Sequence, residues 1–177
     1  MRLFRIQVAT ALALLATSAL AASPYEINGF HTDLIFSAAL EKARALGGNC
    51  QTTPPGTQEG GIRAQCEYAP CSSRDKDGAC ASKDAQAAGL TIASQPILRI
   101  SLEAPVDSAP LSRIVFVYGG LHAPVKANLY QIYGPPSGDV TPADEKSWSH
   151  ARRIRWTQGR YHLGLSDIPK IVTLEAD

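Results

Sequence analysis

Arg113-Ile114-Val115-Phe116-Val117-Tyr118-Gly119-Gly120 reads as a strand that is apolar on both faces and is stopped by a glycine pair. β-Branched and aromatic side chains favour the extended chain, and apolar residues on both sides place such a strand inside a sheet. Upstream, Ile97 to Glu103 alternates: Leu98, Ile100 and Leu102 point one way, while Arg99, Ser101 and Glu103 point the other. That period of two predicts a companion strand with one buried face. Ile62 to Tyr68 is a further candidate strand, and Leu90 to Ala93 a short one.

Beyond Gly119-Gly120 the period changes. Pro124 suits a first helical turn, and Val125, Leu129 and Ile132 recur at helical spacing until Gly134-Pro135-Pro136 ends the run. Ser137 to Lys146, with Pro142, reads as a solvated connector. Trp148 to Thr157 and Arg160 to Leu165 then flank Gln158-Gly159 as a hairpin. Asp167-Ile168-Pro169 makes a turn, and Ile171-Val172-Thr173-Leu174 a last strand. Nearer the start, a helix is predicted from Thr32 to Leu46, with Thr32 as its cap and Asp33 at its positive end. Phe36, Leu40, Ala43 and Leu46 form its apolar stripe, Lys42 and Arg44 suit its negative end, and Gly47-Gly48 stops it. The predicted fold is α+β: a mainly antiparallel sheet with two helices packed on one face. The predicted order is one helix, two to four strands, a second helix and three strands.

The first 21 residues read as a leader. Arg2 and Arg5 precede an apolar run from Ile6 to Leu20, and Ala19-Leu20-Ala21 offers small residues at a cleavage site. The run is shorter than the ~20 residues that a spanning helix needs. Residues 1–21 are therefore expected to be a signal peptide and 22–177 a single domain, periplasmic or secreted, without a membrane span after cleavage. The formal charge of +1 falls to about −1 without Arg2 and Arg5, so overall charge gives no argument for nucleic acid.

Four cysteines, Cys50, Cys66, Cys71 and Cys80, are an even set in an exported chain and point to disulfides rather than to zinc. Of the three pairings, Cys50–Cys66 and Cys71–Cys80 close the shorter loops at the smaller entropy cost. Residues 69–89 then read as a polar surface excursion pinned by the second pair.

The order helix-then-strands occurs twice, with a glycine stop after each helix, and the second helix leaves through Tyr133-Gly134-Pro135-Pro136. This pattern resembles the small secreted repeat folds of the β-lactamase inhibitor protein and of outer-membrane-assembly lipoproteins. The resemblance implies a binding protein, often a protein inhibitor. The sequence departs from it in having one helix per repeat and in the extra 69–89 excursion, and no individual residue carries over.

Motifs for chemistry are sparse. His31, His122, His150 and His162 form no His-x-x-x-His pair or Glu-flanked zinc motif, and no metal or cofactor is expected. No Gly-x-Ser-x-Gly elbow occurs, and Asp75-Lys76-Asp77-Gly78 lacks the later ligands of a calcium loop. Asp33, Glu41, Glu67, Glu103 and Asp167 are scattered over different elements.

The most informative surface is the hairpin. With Gln158-Gly159 as a two-residue turn, Thr157 opposes Arg160, Trp156 opposes Tyr161, Arg155 opposes His162 and Arg153 opposes Gly164. Ile154, Trp156, Tyr161, Leu163 and Leu165 then face the core. Arg153, Arg155, Arg160 and His162 face outward as a strip suited to an acidic protein partner. The expectation is an exported binding protein acting by protein contact, an inhibitor or immunity-type neutraliser. Two alternatives stay open: a cell-envelope hydrolase using His150 or His162 with a distant carboxylate, and a structural envelope component.

Overall fold

The computed structural model describes residues 22–53, 61–68, 90–140 and 153–177. The leader, Cys71, Cys80 and His150 lie outside the described residues, so the readings made for them stand as expectations. Among the described residues two helices, α1 (Phe36–Ala45) and α2 (His122–Tyr133), accompany nine strands. The strands are β1 (Asn49–Thr53), β2 (Ile62–Glu67), β3 (Thr91–Ile92), β4 (Gln95–Ala104), β5 (Arg113–Tyr118), β6 (Gly138–Val140), β7 (Arg153–Gln158), β8 (Tyr161–Asp167) and β9 (Lys170–Ala176).

The sheet runs β1-β2-β4-β5-β9-β8-β7-β6, with β3 folded onto β4, and its described pairings are antiparallel. The strand that decides the fold, β5, lies between β4 and β9. It alternates all the same: Ile114, Phe116 and Tyr118 are buried, whereas Val115 and Val117 are only half-buried.

The α+β class and the mainly antiparallel sheet are as expected; the strand count is corrected. Five strands separate the helices and four follow the second. The two strands missed lack an apolar alternation of their own. β1 is Asn-Cys-Gln-Thr-Thr, held to β2 in a register that sets Cys50 opposite Cys66, and those two are disulfide-bonded as predicted. β6, Gly-Asp-Val, lies in the stretch read as a connector and is an edge partner of β7.

One sheet face is core. Ala64, Cys66, Ile100, Leu102, Ile114, Phe116, Val172, Leu174, Leu163 and Trp156 are all nearly or fully buried on it. Helix α1 adds Phe36, Ala39, Leu40 and Ala43, and α2 adds Val125 and Leu129. The helix starts correct the expectation. α1 begins at Phe36 after Ile35, not at a Thr32 cap. Its first free amides are met by backbone, Phe36 N–H by the Ala109 carbonyl at 3.0 Å and Ser37 N–H by that of Asp107 at 3.3 Å, so no capping side chain is needed. In α2, Ile132 is 59% exposed rather than core. Tyr133 works inward in its place: its ring meets Tyr25 edge-on at 5.0 Å, and its hydroxyl donates to the Glu26 carbonyl at 2.6 Å. The segment before α1 thereby joins the core through Tyr25, Ile27 and Phe30.

The hairpin turn is also corrected. Gln158 pairs with Tyr161, Trp156 with Leu163 and Arg155 with Gly164, so the turn residues are Gly159 and Arg160. Gly159, at φ +59°, takes the first turn position, which in a type II′ turn asks for glycine. Each strand keeps its inward and outward sets, because every residue's partner moves by two and the side-chain period is two.

Candidate functional site

The sheet face away from the helices carries charge in register. One row crosses seven strands: Thr53, Arg63, Glu103, Arg113, Glu175, His162 and Thr157 stand side by side. Arg63 meets Glu103 at 3.3 Å, Arg113 meets Glu175 at 3.1 Å, and in another row Arg99 approaches Glu67 at 3.9 Å. Exposed pairs of this kind contribute about 0–1 kcal/mol each. Their main effect is on pairing specificity, since a two-residue slip of β2 on β4 would set Arg63 opposite Ser101, or Glu103 opposite Gln65, and break the opposed pairs.

β7 breaks the pattern. Arg153 lies between Ser166 and Val140, and Arg155 between Gly164 and Gly138. Neither arginine has a carboxylate in register, unlike the arginines of β2, β4 and β5. Gly164 also leaves a gap beside Arg155. A cavity of about 160 Å³ opens there, lined among others by Arg113, Arg155, His162, Gly164, Thr173 and Glu175. Packing does not dictate the glycines. A Cβ on Gly164 would meet only Thr173 Cβ, at an ordinary 3.8 Å, and a Cβ on Gly138 would meet nothing within 4 Å. A glycine inside a strand costs roughly 0.5–1 kcal/mol relative to alanine, so the open space is maintained against local propensity.

The four residues expected to form one strip divide. Arg153 and Arg155 belong to this face, and Arg155 is half-buried. His162 is on the same face but is only 8% exposed, which corrects its place in an exposed strip. Its Nε2 lies 2.7 Å from Asp177 Oδ2 and its Nδ1 3.2 Å from Thr157 Oγ1. The His162 hydrogen bond holds the Asp177 carboxyl below its ordinary range, and Arg155 acts in the same direction. Arg160, a turn residue, leaves the strip. Its guanidinium meets Asp33 Oδ1 at 2.8 Å and lies over the Tyr161 ring at 4.9 Å, while Tyr161 donates its hydroxyl to Asp33 Oδ2 at 2.9 Å. These contacts tie the hairpin tip to the segment before α1.

Thr157, His162 and Asp177 form a hydroxyl–imidazole–carboxylate chain. For nucleophilic chemistry such a chain also needs amide donors facing the developing oxyanion. The Thr157 amide is already given to Ser137 Oγ at 3.0 Å. The contacts fit a cross-strand latch that fixes the imidazole ring.

A second polar cluster sits where β5 leads into α2. Tyr118 and His122 share a 2.7 Å hydrogen bond, Oη to Nδ1. Burial pushes the Tyr118 phenol up and the His122 imidazole down, so both are held in their neutral forms. Asp167 Oδ1 is buried with no hydrogen-bond partner, and Lys170 Nζ donates to the Gly120 carbonyl. Among the described residues no three His, Cys, Asp or Glu side chains converge as a metal site, and no helix is long and apolar enough to cross a membrane.

Sequence reasoning missed Gly138, Gly164 and Asp177. An isolated glycine inside a strand is a known sign of close approach or of a gap, so Gly164 was findable. Asp177 reaches His162 only through the pairing of β8 with β9, which no local pattern announces.

No protein-family model and no curated protein sequence matches the chain. Among solved structures, a DUF4309 family protein (YjgB) from Bacillus subtilis is similar at 15% identity, with a TM-score of 0.32 over 49% of this chain. The match covers 60% of that protein, and likeness at this level carries no argument about fold or function.

Proposed function

We propose that this is an exported binding protein that holds an acidic protein partner on the sheet face away from its described helices. The observation that carries the reading is β7: Arg153 and Arg155 hold register positions on a face where Arg63, Arg99 and Arg113 have glutamates in register, and their own register partners are Ser166, Val140 and two glycines. Arginine presents planar donors that match carboxylates, and positive charge whose described strand neighbours carry no carboxylate draws acidic surfaces. Export is supported by the leader-like first 21 residues and the Cys50–Cys66 disulfide. An inhibitor is the form of binding that the sequence resemblance implies, and an immunity-type neutraliser is a further form that the reading covers.

The hydrolase alternative has one observation on its side, the His162–Asp177 contact at 2.7 Å. Against it stand the burial of His162 and the prior use of the Thr157 amide.

The test is charge reversal. Arg153→Glu/Arg155→Glu should melt within a few degrees of the wild type and lose capture of the acidic partner. Wild-type association should slow as salt rises. Capture by the double variant at wild-type strength overturns the proposal.

A further inference from the structure

Resting on that reading, we infer that the cavity over Gly164 is a receptor for one carboxylate side chain, Asp or Glu, on an extended segment of the partner. Arg155 is the group that reads it, and Gly164 keeps the slot open.

Three observations combine. The first is space: about 160 Å³ of room, against the roughly 10–15 Å³ that one water needs on the same measure. The second is that the other titratable groups in the lining are occupied. Glu175 is with Arg113 at 3.1 Å, and His162 is with Asp177 at 2.7 Å, while Arg155 has glycine on both neighbouring strands. An incoming carboxylate meets a guanidinium whose described strand neighbours carry no carboxylate, with Asp177 acting on it from outside the cavity lining, and the planar fork donates to the newcomer in bidentate fashion. The third is that neither flanking glycine is required by sterics, since added Cβ atoms would find ordinary contact or open space. Gly164 thus leaves room beside Arg155 that a side chain could fill, and the slot depends on that room.

The slot excludes as well as accepts. A glutamine of equal size would not neutralise the Arg155 charge, and Glu175 in the lining, with Asp177 nearby, opposes any carboxylate that Arg155 does not engage. The slot thus selects an isolated carboxylate within an otherwise neutral extended stretch.

The experiment uses the purified protein with its disulfide intact and a capped Gly-Ser peptide carrying a single central glutamate, with the glutamine peptide as control. The amides of Gly164 and Thr173 are followed by NMR during titration. Saturable shifts with the glutamate peptide, at least tenfold weaker with the glutamine peptide, are expected. Gly164→Val should weaken binding at least tenfold and Gly164→Ala by less, both with melting temperatures near the wild type. Arg155→Gln should abolish the preference for glutamate. Equal binding of the two peptides, or wild-type binding by a folded Gly164→Val, overturns the slot. The failures are distinguishable: partner capture that still depends on Arg155 but ignores Gly164→Val removes the slot and keeps the binding face. Capture indifferent to both residues removes the face itself.

Discussion

Replacing Cys50 and Cys66 together with alanine tests how the first strand pair is held. The two cysteines are separated by 16 positions, and a closed loop of that length restricts the unfolded chain by about 3 kcal/mol in the chain-entropy model. Cys66 is fully buried on the core face, so losing its sulfur adds a small cavity worth about 1 kcal/mol. The expected loss is about 4 kcal/mol. At roughly 2–4 °C per kcal/mol for a chain of this size, the melting temperature should fall by roughly 8–16 °C. Urea unfolding followed by the fluorescence of buried Trp156 gives the free energy directly. Hydrogen exchange locates it: β1 is an edge strand with β2 as its neighbour, so its amides should exchange much faster in the variant while those of β5 follow global stability. A loss below about 1 kcal/mol, with β1 still protected, would refute the reasoning, because the backbone ladder alone would then be holding the edge.

Three further outcomes follow from single residues. Burial pushes the Tyr68 phenol from 10.0 up to about 12, so its contribution to stability is complete below pH 10 and is lost as pH rises from 10 to 12. Tyr68→Phe should flatten alkaline unfolding in that window and cost about 1 kcal/mol at neutral pH through loss of the bond to the Ala43 carbonyl. The Asp177 carboxyl, lowered by its bond from His162, should titrate in NMR below the ordinary carboxylate range and return to that range in His162→Gln. Its stabilising effect is present above the ordinary carboxylate range and is lost as pH falls through the lowered value. Gly61→Ala should destabilise by about 1–3 kcal/mol in urea unfolding, because φ is +108° and the new Cβ would collide with the Ala104 carbonyl oxygen. Gly164→Ala should stay within about 1 kcal/mol of the wild type in the same assay.

Much of the fold was legible because burial imposes a period. Leu98 to Glu103 and Arg113 to Tyr118 announce strands, and Phe36, Leu40 and Ala43 announce a helix face. What escaped was structure held by partners instead of by pattern. β1 is polar and depends on its disulfide-linked neighbour, β6 spans only Gly138–Val140 at an edge, and α1 is capped by a distant loop backbone in place of Thr32. The candidate site was half legible. The alternation of β7 placed Arg153 and Arg155 outward even with the turn set one residue early, because the change of partner by two preserved the faces. Arg160 and His162 went astray because their surroundings, Asp33 and Asp177, are distant in sequence.

The central claim, that the sheet face away from the described helices holds the partner, is most directly tested by photo-crosslinking. A benzophenone side chain is placed at exposed Gln65 or Thr157 on that face, or at exposed Gln131 or Ile132 on the helix layer, and each protein is exposed to an extract of its native source. The account predicts one shared adduct from the two sheet positions, suppressed by Arg155→Glu and by salt, with the attached peptide carrying an acidic residue. The same adduct formed from Gln131 or Ile132, and unaffected by Arg155→Glu, would contradict it.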